Sequence, residues 1–165
     1  MAEQTIWYLE MRDSDAHCAR PLPEALNVVE CEIPQFELNR FLYRLVGAQW
    51  QWSEMLEGNQ NEWRAMIESD AHRTFVAYHR GAIAGYFELY RPDGINVEIL
   101  YFGLVADFIG MNLGGGLLSY AIDQAWRWSG TERVWLHTCS LDHPAAMDNY
   151  QKRGFTIYHE EIAPC

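Results

Sequence analysis

Basic residues are scarce in this chain. Twelve Lys and Arg stand against 23 Asp and Glu, a formal net charge of −11, and binding a phosphate backbone needs the opposite balance. Nucleic acid is excluded as the main partner, and a cationic or amine-bearing partner is favoured. Metal-type cysteine spacing is also missing. Cys18, Cys31, Cys139 and Cys165 lie far apart with no CxxC or CxxH pair, so a zinc site has no support. Nothing marks the chain for export, and the four read as free thiols, with Cys139 packed in an apolar, β-rich run. The opening MAEQTIWYLEMRDSD lacks the basic-then-apolar order of a signal peptide. No apolar run approaches membrane-spanning length. A cytoplasmic protein with no membrane partner is expected. Repeats, linkers and low-complexity segments are absent as well.

What is present is core-forming material. Over 165 residues the chain is 49% hydrophobic and 14% aromatic, which excludes a disordered chain and suits one domain spanning 1–165. Residues 5–11 (TIWYLEM) and 27–33 (NVVECEI) read as strands. Pro34 opens a helical pattern that ends at Gly47, and a second helical region runs over roughly 53–68 with Ser53 as its cap. From residue 73 the period changes to two. RTFVAYHR and AIAGYFELYR form a hairpin about Gly81, and GINVEILYFGLV is a third, longer strand. A glycine loop and a helix over about 113–129 follow. Then come a strand at 133–140, a helix opened by Asp142 and Pro144, and a last strand at 154–161. The fold class is α+β, with a meander, a crossover helix, and a strand–helix–strand ending.

The stretch YFGLVADFIGMNLGGGLLSYAIDQAW, 101–126, poses the functional question. A strand that runs through glycines into a helix can hold phosphate, because the first N–H groups of a helix are unpaired and its dipole is positive there. A nucleoside-triphosphate loop needs Gly-Lys followed by Ser or Thr, whereas Gly116 is followed by Leu117. A dinucleotide loop follows the first strand of a βαβ unit, and this one follows several antiparallel strands. A tight turn capping a core helix is the bland alternative.

Two landmarks carry a resemblance. Aligned on Leu117-Leu118, residues 104–118 are similar to V-x-P-x-x-(R/Q)-G-x-G-x-G-x-x-L-L. HPAAMDNYQKRGF, 143–155, is similar to N-x-x-A-x-x-(L/N)-Y-x-x-x-G-F, with Ala146, Tyr150, Gly154 and Phe155 at matching places. In this order, one helix and one strand apart, they resemble the GNAT acyltransferase superfamily over about 73–161. The resemblance implies a mixed, mostly antiparallel central sheet with helices on both faces. Two departures stand out: Ile109 takes the place of the motif's Arg or Gln, and Asn112 that of its middle glycine. Asn tolerates positive φ, and Ile109 still offers a backbone N–H. A register with Met111 in the arginine place would put the Leu pair too early.

The resemblance implies transfer of an acetyl or other acyl group from acetyl-CoA or another acyl-CoA to an amine, with no metal. Leu104 and Val105, the loop Ile109, Gly110, Met111, Asn112, Leu113, Gly114 and Gly115, and His143 in the motif's Asn place are the donor-binding candidates. Tyr150 is the general acid for the leaving thiolate, against a purely packing tyrosine. Glu98 is the base, and strict alternation puts it on one face with Leu100, Phe102 and Leu104, apolar company that suits a base. Its alternative is a solvated strand-end carboxylate. Glu88 and His137 are rivals on the acceptor side, His137 for its ordinary pKa. Trp50 and Trp52 form an aromatic wall for a small-molecule or N-terminal amine. Two other readings stay open: a non-catalytic coenzyme A-binding sensor, and a donor other than coenzyme A. An exposed C-terminal edge strand makes a homodimer a further expectation.

Overall fold

The structure, a computed structural model, describes residues 2–165. Seven strands among these residues form one sheet: β1 (Glu3–Met11), β2 (Asn27–Glu30), β3 (His72–His79), β4 (Ala82–Tyr90), β5 (Asn96–Leu104), β6 (Arg133–Cys139) and β7 (Thr156–Pro164). Their spatial order is β2-β3-β4-β5-β6-β1-β7. Every neighbouring pair is antiparallel except β5–β6. Among the described residues, five α-helices complete the fold: α1 (Phe36–Gly47), α2 (Glu54–Glu57), α3 (Gln60–Ile67), α4 (Gly114–Arg127) and α5 (Ala146–Lys152). No helix among the described residues is long and apolar enough to cross a membrane.

The two faces of the sheet are covered differently. On one, α4 buries Leu117, Leu118, Ala121, Ile122 and Ala125 against the strands, the spacing of an apolar helix stripe. Leu117, Leu118 and Ile122 are fully buried, each contributing on the order of 1.5–3 kcal/mol. On the other face, α1 and α3 bury Phe36, Leu42, Tyr43, Val46, Trp63 and Ile67. Beneath α1 lies a buried polar cluster. The Asn39 amide donates to Thr74 Oγ1 (2.8 Å) and Glu88 Oε1 (2.9 Å), and His72 Nε2 lies 2.5 Å from the same carboxylate oxygen. A buried carboxylate needs such partners, so the cluster fixes how α1 sits on β3 and β4.

Several expected boundaries move. The second strand stops at Glu30 rather than residue 33. The helical region 53–68 is two helices, because Gly58 adopts an extended conformation and Asn59 starts a new helix, its side chain accepting from the Asn61 and Glu62 N–H groups. Ser53, the expected cap, makes no side-chain capping bond. Asp142 does not cap α5 either; its carboxylate takes the Thr138 hydroxyl and the Cys139 N–H and ends β6. All four cysteines are free, and Cys139 is half-buried rather than sealed in the core.

The placement of β1 is the largest addition to the sequence reading. The first strand lies between β6 and the C-terminal strand, at the far end of the sheet from β2. The segment 12–26 must therefore return across the α4 side, and it does so as a strap. The Arg20 N–H donates to Ser119 Oγ on α4 (2.9 Å), His17 Nε2 lies 2.9 Å from the same hydroxyl, and the Cys18 N–H donates to the Arg153 carbonyl. A Cβ on Gly116 would lie 2.6 Å from the Pro21 carbonyl oxygen and closer still to Pro23. That glycine is needed by the strap. Gly116→Ala is expected to lower unfolding stability by about 1–3 kcal/mol, read from urea unfolding; an unchanged midpoint would mean that the strap is not held against α4.

Candidate active site

The site begins where two strands part. β5 and β6 pair in parallel at Asn96↔Arg133, Val97↔Val134 and Glu98↔Trp135, and then separate. On its other side β5 stays paired with β4, but the register slips: Glu88 faces Tyr101 and Leu89 faces Ile99, so Leu100 has no partner. Such a bulge bends and twists a strand, and it also switches the faces. Val97 and Ile99 before it and Phe102 and Leu104 after it all belong to the core under α4. The strict alternation expected for Glu98, Leu100, Phe102 and Leu104 is thereby corrected: Glu98 lies on the opposite face from Phe102 and Leu104.

The parted strands open onto a cavity of about 550 Å³ that runs to the N-terminus of α4, a volume suited to a small-molecule site. Its floor is the exposed edge of β5 from Ile99 to Leu104, which no longer meets β6. At its far end lies the glycine loop. Gly110 and Asn112 have φ of +87° and +60°, so Asn112 does hold the left-handed conformation expected of it. Leu113 provides no side-chain cap, and the first intrahelical bond is made by Leu117 to the Leu113 carbonyl. The N–H groups of Gly114, Gly115 and Gly116 thus precede the helix's own ladder. Ile109 differs from expectation, because its N–H donates to the Ala106 carbonyl at 3.2 Å and is not free for a ligand.

Most of the residues singled out in the sequence meet here. Leu104, Ile109, Gly110, Asn112, Leu113, Gly114 and Gly115 line the donor end, and Trp50, Trp52, His137, His143 and Tyr150 line the rest. Four do not. The Val105 N–H is bonded to the Ala84 carbonyl, and its side chain packs under α1. Met111 points outward at 48% exposure. Glu88 is fully buried in the cluster beneath α1. Glu98 lies behind His137: its Oε1 is 3.4 Å from His137 Nδ1, and the carboxylate is only 12% exposed.

The chemistry of the walls follows from these neighbours. The Glu98 carboxylate raises the pKa of His137 above the usual imidazole value against the opposing effect of burial, and Asp142 and Glu54 act in the same direction. With Nδ1 turned to Glu98, Nε2 is the nitrogen left for a ligand. Burial holds the Tyr150 hydroxyl well above the ordinary phenol pKa, with Asp142 adding to it, so the group stays protonated and is a donor. Its ring is fixed by edge contacts with Phe102 and Phe155. Over the mouth, the Trp52 indole N–H donates to Asp142 Oδ1 (3.3 Å), and the Trp50 ring stands edge-on to His143, 5.2 Å between centroids. The His143 Nδ1 meanwhile accepts the Ala145 N–H at 3.0 Å, in the turn that leads into α5.

Asn149 and Asp142 are among the lining residues that were not singled out in the sequence. Asn149 sits one place before Tyr150, inside the recognised pattern, and its amide donates to the Gly114 carbonyl at 3.3 Å; the motif position was the available signal. Asp142 had none, because its contact with Trp52 spans 90 positions in sequence.

A model of the acetyltransferase (GNAT) family matches residues 37–155. Among curated proteins nothing matches the chain. Among solved structures, a GCN5-related N-acetyltransferase from Sphaerobacter thermophilus is 16% identical, with 95% of this chain and 49% of that one aligned at a TM-score of 0.68. One from Kribbella flavida is 15% identical over 93% and 54%, TM-score 0.65. An aminoglycoside acetyltransferase from an uncultured soil metagenomic sample, in complex with sisomicin, is 18% identical over 78% and 87%, TM-score 0.59. At these identities the likeness is one of fold, and the chain spans about half the length of the first two.

The His137–Glu98 contact makes a prediction independent of any ligand. Replacing Glu98 by Gln removes the charge that favours imidazolium, so the His137 pKa is expected to fall. NMR titration of the His137 ring reads it directly; an unmoved midpoint would show that the two groups do not interact in solution.

Proposed function

The chain belongs to the GNAT acetyltransferase family, and from that premise we propose that it transfers an acetyl or other acyl group from acyl-coenzyme A to a primary amine. One observation supports this above the rest. A single cavity joins the open edge of β5, the uncapped start of α4 and two polar side chains, His137 and Tyr150, able to handle protons. An extended, amide-bearing chain can add to an open strand edge by backbone hydrogen bonds, and a pyrophosphate fits a helix start with free N–H groups. The apolar residues between them, Ile99, Leu104 and Leu113, suit the uncharged middle of such a donor.

The reaction assigns each wall a task. The amine must be neutral to attack the thioester carbonyl carbon, and His137 Nε2 takes the proton it sheds, with Glu98 behind the ring stabilising the imidazolium. Glu98 thus serves through His137 rather than by touching the amine. A backbone N–H on the β5 edge can steady the oxyanion. When the carbon–sulfur bond breaks, the Tyr150 hydroxyl protonates the departing thiolate. Trp50 and Trp52, with Asp142 beside them, form an aromatic and acidic approach for a small or N-terminal amine. A second reading, a binder without turnover, draws on Ile109, whose side chain is apolar and whose N–H is already used.

Calorimetric titration with acetyl-coenzyme A, beside dephosphorylated and pantetheine-only fragments, tests the donor site. Binding that collapses when the pyrophosphate is removed supports it, and no binding by the folded protein sinks it. Binding with no turnover across a broad amine panel would favour the second reading. Tyr150→Phe should lower kcat by about 10²-fold or more while leaving donor affinity nearly unchanged; full activity in that variant would remove Tyr150 from the mechanism. Because the acting base must be neutral, the acid limb of the kcat/KM profile is expected above the ordinary histidine pKa, and in Glu98→Gln it should move to lower pH.

A further inference from the structure

We propose that Arg20, carried to the site by the strap, is the cation that receives the pyrophosphate of the donor. The proposal rests on the acyl-coenzyme A reading above and adds to it a residue outside both recognised motifs. The chain departs from the family pattern at Ile109, where an Arg or Gln side chain is expected, and the Ile109 N–H is bonded to the Ala106 carbonyl. From Ala106 to Ser119 the sequence carries no Lys or Arg, and it contains Asp107. With a net charge of −11, a dianionic group would meet an unfavourable field here unless a positive side chain arrived from elsewhere.

Arg20 arrives from elsewhere. Its backbone is tied down by the bond from its N–H to Ser119 Oγ, a side chain buried on α4. Its guanidinium reaches over the start of the helix. Nη2 donates to Asn112 Oδ1 at 3.0 Å, and Nη1 lies so close to Gly115 that a Cβ there would sit 2.7 Å from it. Asn112 and Gly115 both line the cavity, so the guanidinium stands at its rim, beside the free N–H groups of the first helical turn. Arg20 is exposed and pairs with no carboxylate among the described residues. Its side-chain bond to Asn112 is to a neutral amide oxygen, and the planar fork keeps further donors for a phosphate. The glycine at 115 thus has a second reading: it leaves room for a guanidinium on the helix start, where dipole and charge act together.

The full-length chain tests this by calorimetry, with wild type, Arg20→Gln and Arg20→Lys each titrated with acetyl-coenzyme A, 3′-dephospho-coenzyme A and pantetheine. Arg20→Gln is expected to weaken the two pyrophosphate-bearing ligands by about 10- to 100-fold and to flatten the salt dependence of their binding. Pantetheine affinity should not change, and Arg20→Lys should recover part of the loss. In turnover assays the KM for the donor should rise with kcat unchanged. Undiminished acetyl-coenzyme A binding by Arg20→Gln would overturn the proposal while leaving the donor site standing. An equal loss for pantetheine would overturn it too, by showing that Arg20 supports the fold rather than the phosphates. Failure of the wild type to bind acetyl-coenzyme A would instead bring down the donor reading itself, and this inference with it.

Discussion

Three backbone pairings hold β5 to β6, and where they end the cavity starts. Sheet neighbours normally continue side by side, because an unpaired strand edge leaves N–H and C=O groups unsatisfied. Here the bulge at Leu100 bends β5 while β4 still holds its other edge, so the strand parts from β6 without losing its place in the sheet. The open edge depends on that separation, and the switch of faces that puts Phe102 and Leu104 against the core depends on the bulge itself. A straight, fully paired β5 would leave no room between the strands and would reverse the faces of everything after residue 100.

The parting requires β6 to be held from its other side. β1 does this along six paired positions and is itself backed by β7. The first strand of the chain therefore braces the wall of a site built from its second half. Its return path, the strap over α4, ties the same N-terminal segment to the glycine loop through Ser119, Asn112 and the prolines over Gly116. Glycines that look like a phosphate loop in the sequence thus meet two demands at once. Asn112 and Gly110 supply the left-handed turns, while Gly115 and Gly116 admit the strap. On the opposite face, the Glu88–His72–Asn39 cluster holds α1 in place, and the Trp-bearing turn after α1 reaches across to Asp142 and His143.

The elements most legible in the sequence were those with strong local signals. The hairpin about Gly81, the strand into the glycine loop, the long helix after it and the motif around Tyr150 all appear close to where patterning put them. Glu88 and Glu98 were not legible in the same way. Alternation tells which residues share a face, but not which face a helix covers or where a bulge exchanges the two. Glu88 was buried by α1, a helix packed from nearly fifty residues away, and Glu98 was put on the opposite face from Phe102 and Leu104 by one unpaired residue. Neither event leaves a mark within a short window.

The sequence alone determined the α+β class, the order of elements from the hairpin onward, the family resemblance and most of the residues lining the cavity. These rest on local periodicity, turn chemistry and motif spacing, all of which act over a few residues. The tertiary structure decided that β1 lies between β6 and β7, that Glu98 lies behind His137, and that Arg20 stands beside Gly115. The physical reason is common to all three: each depends on groups distant in the chain being brought together by packing, and a pattern that repeats every two or every 3.6 residues carries no record of that.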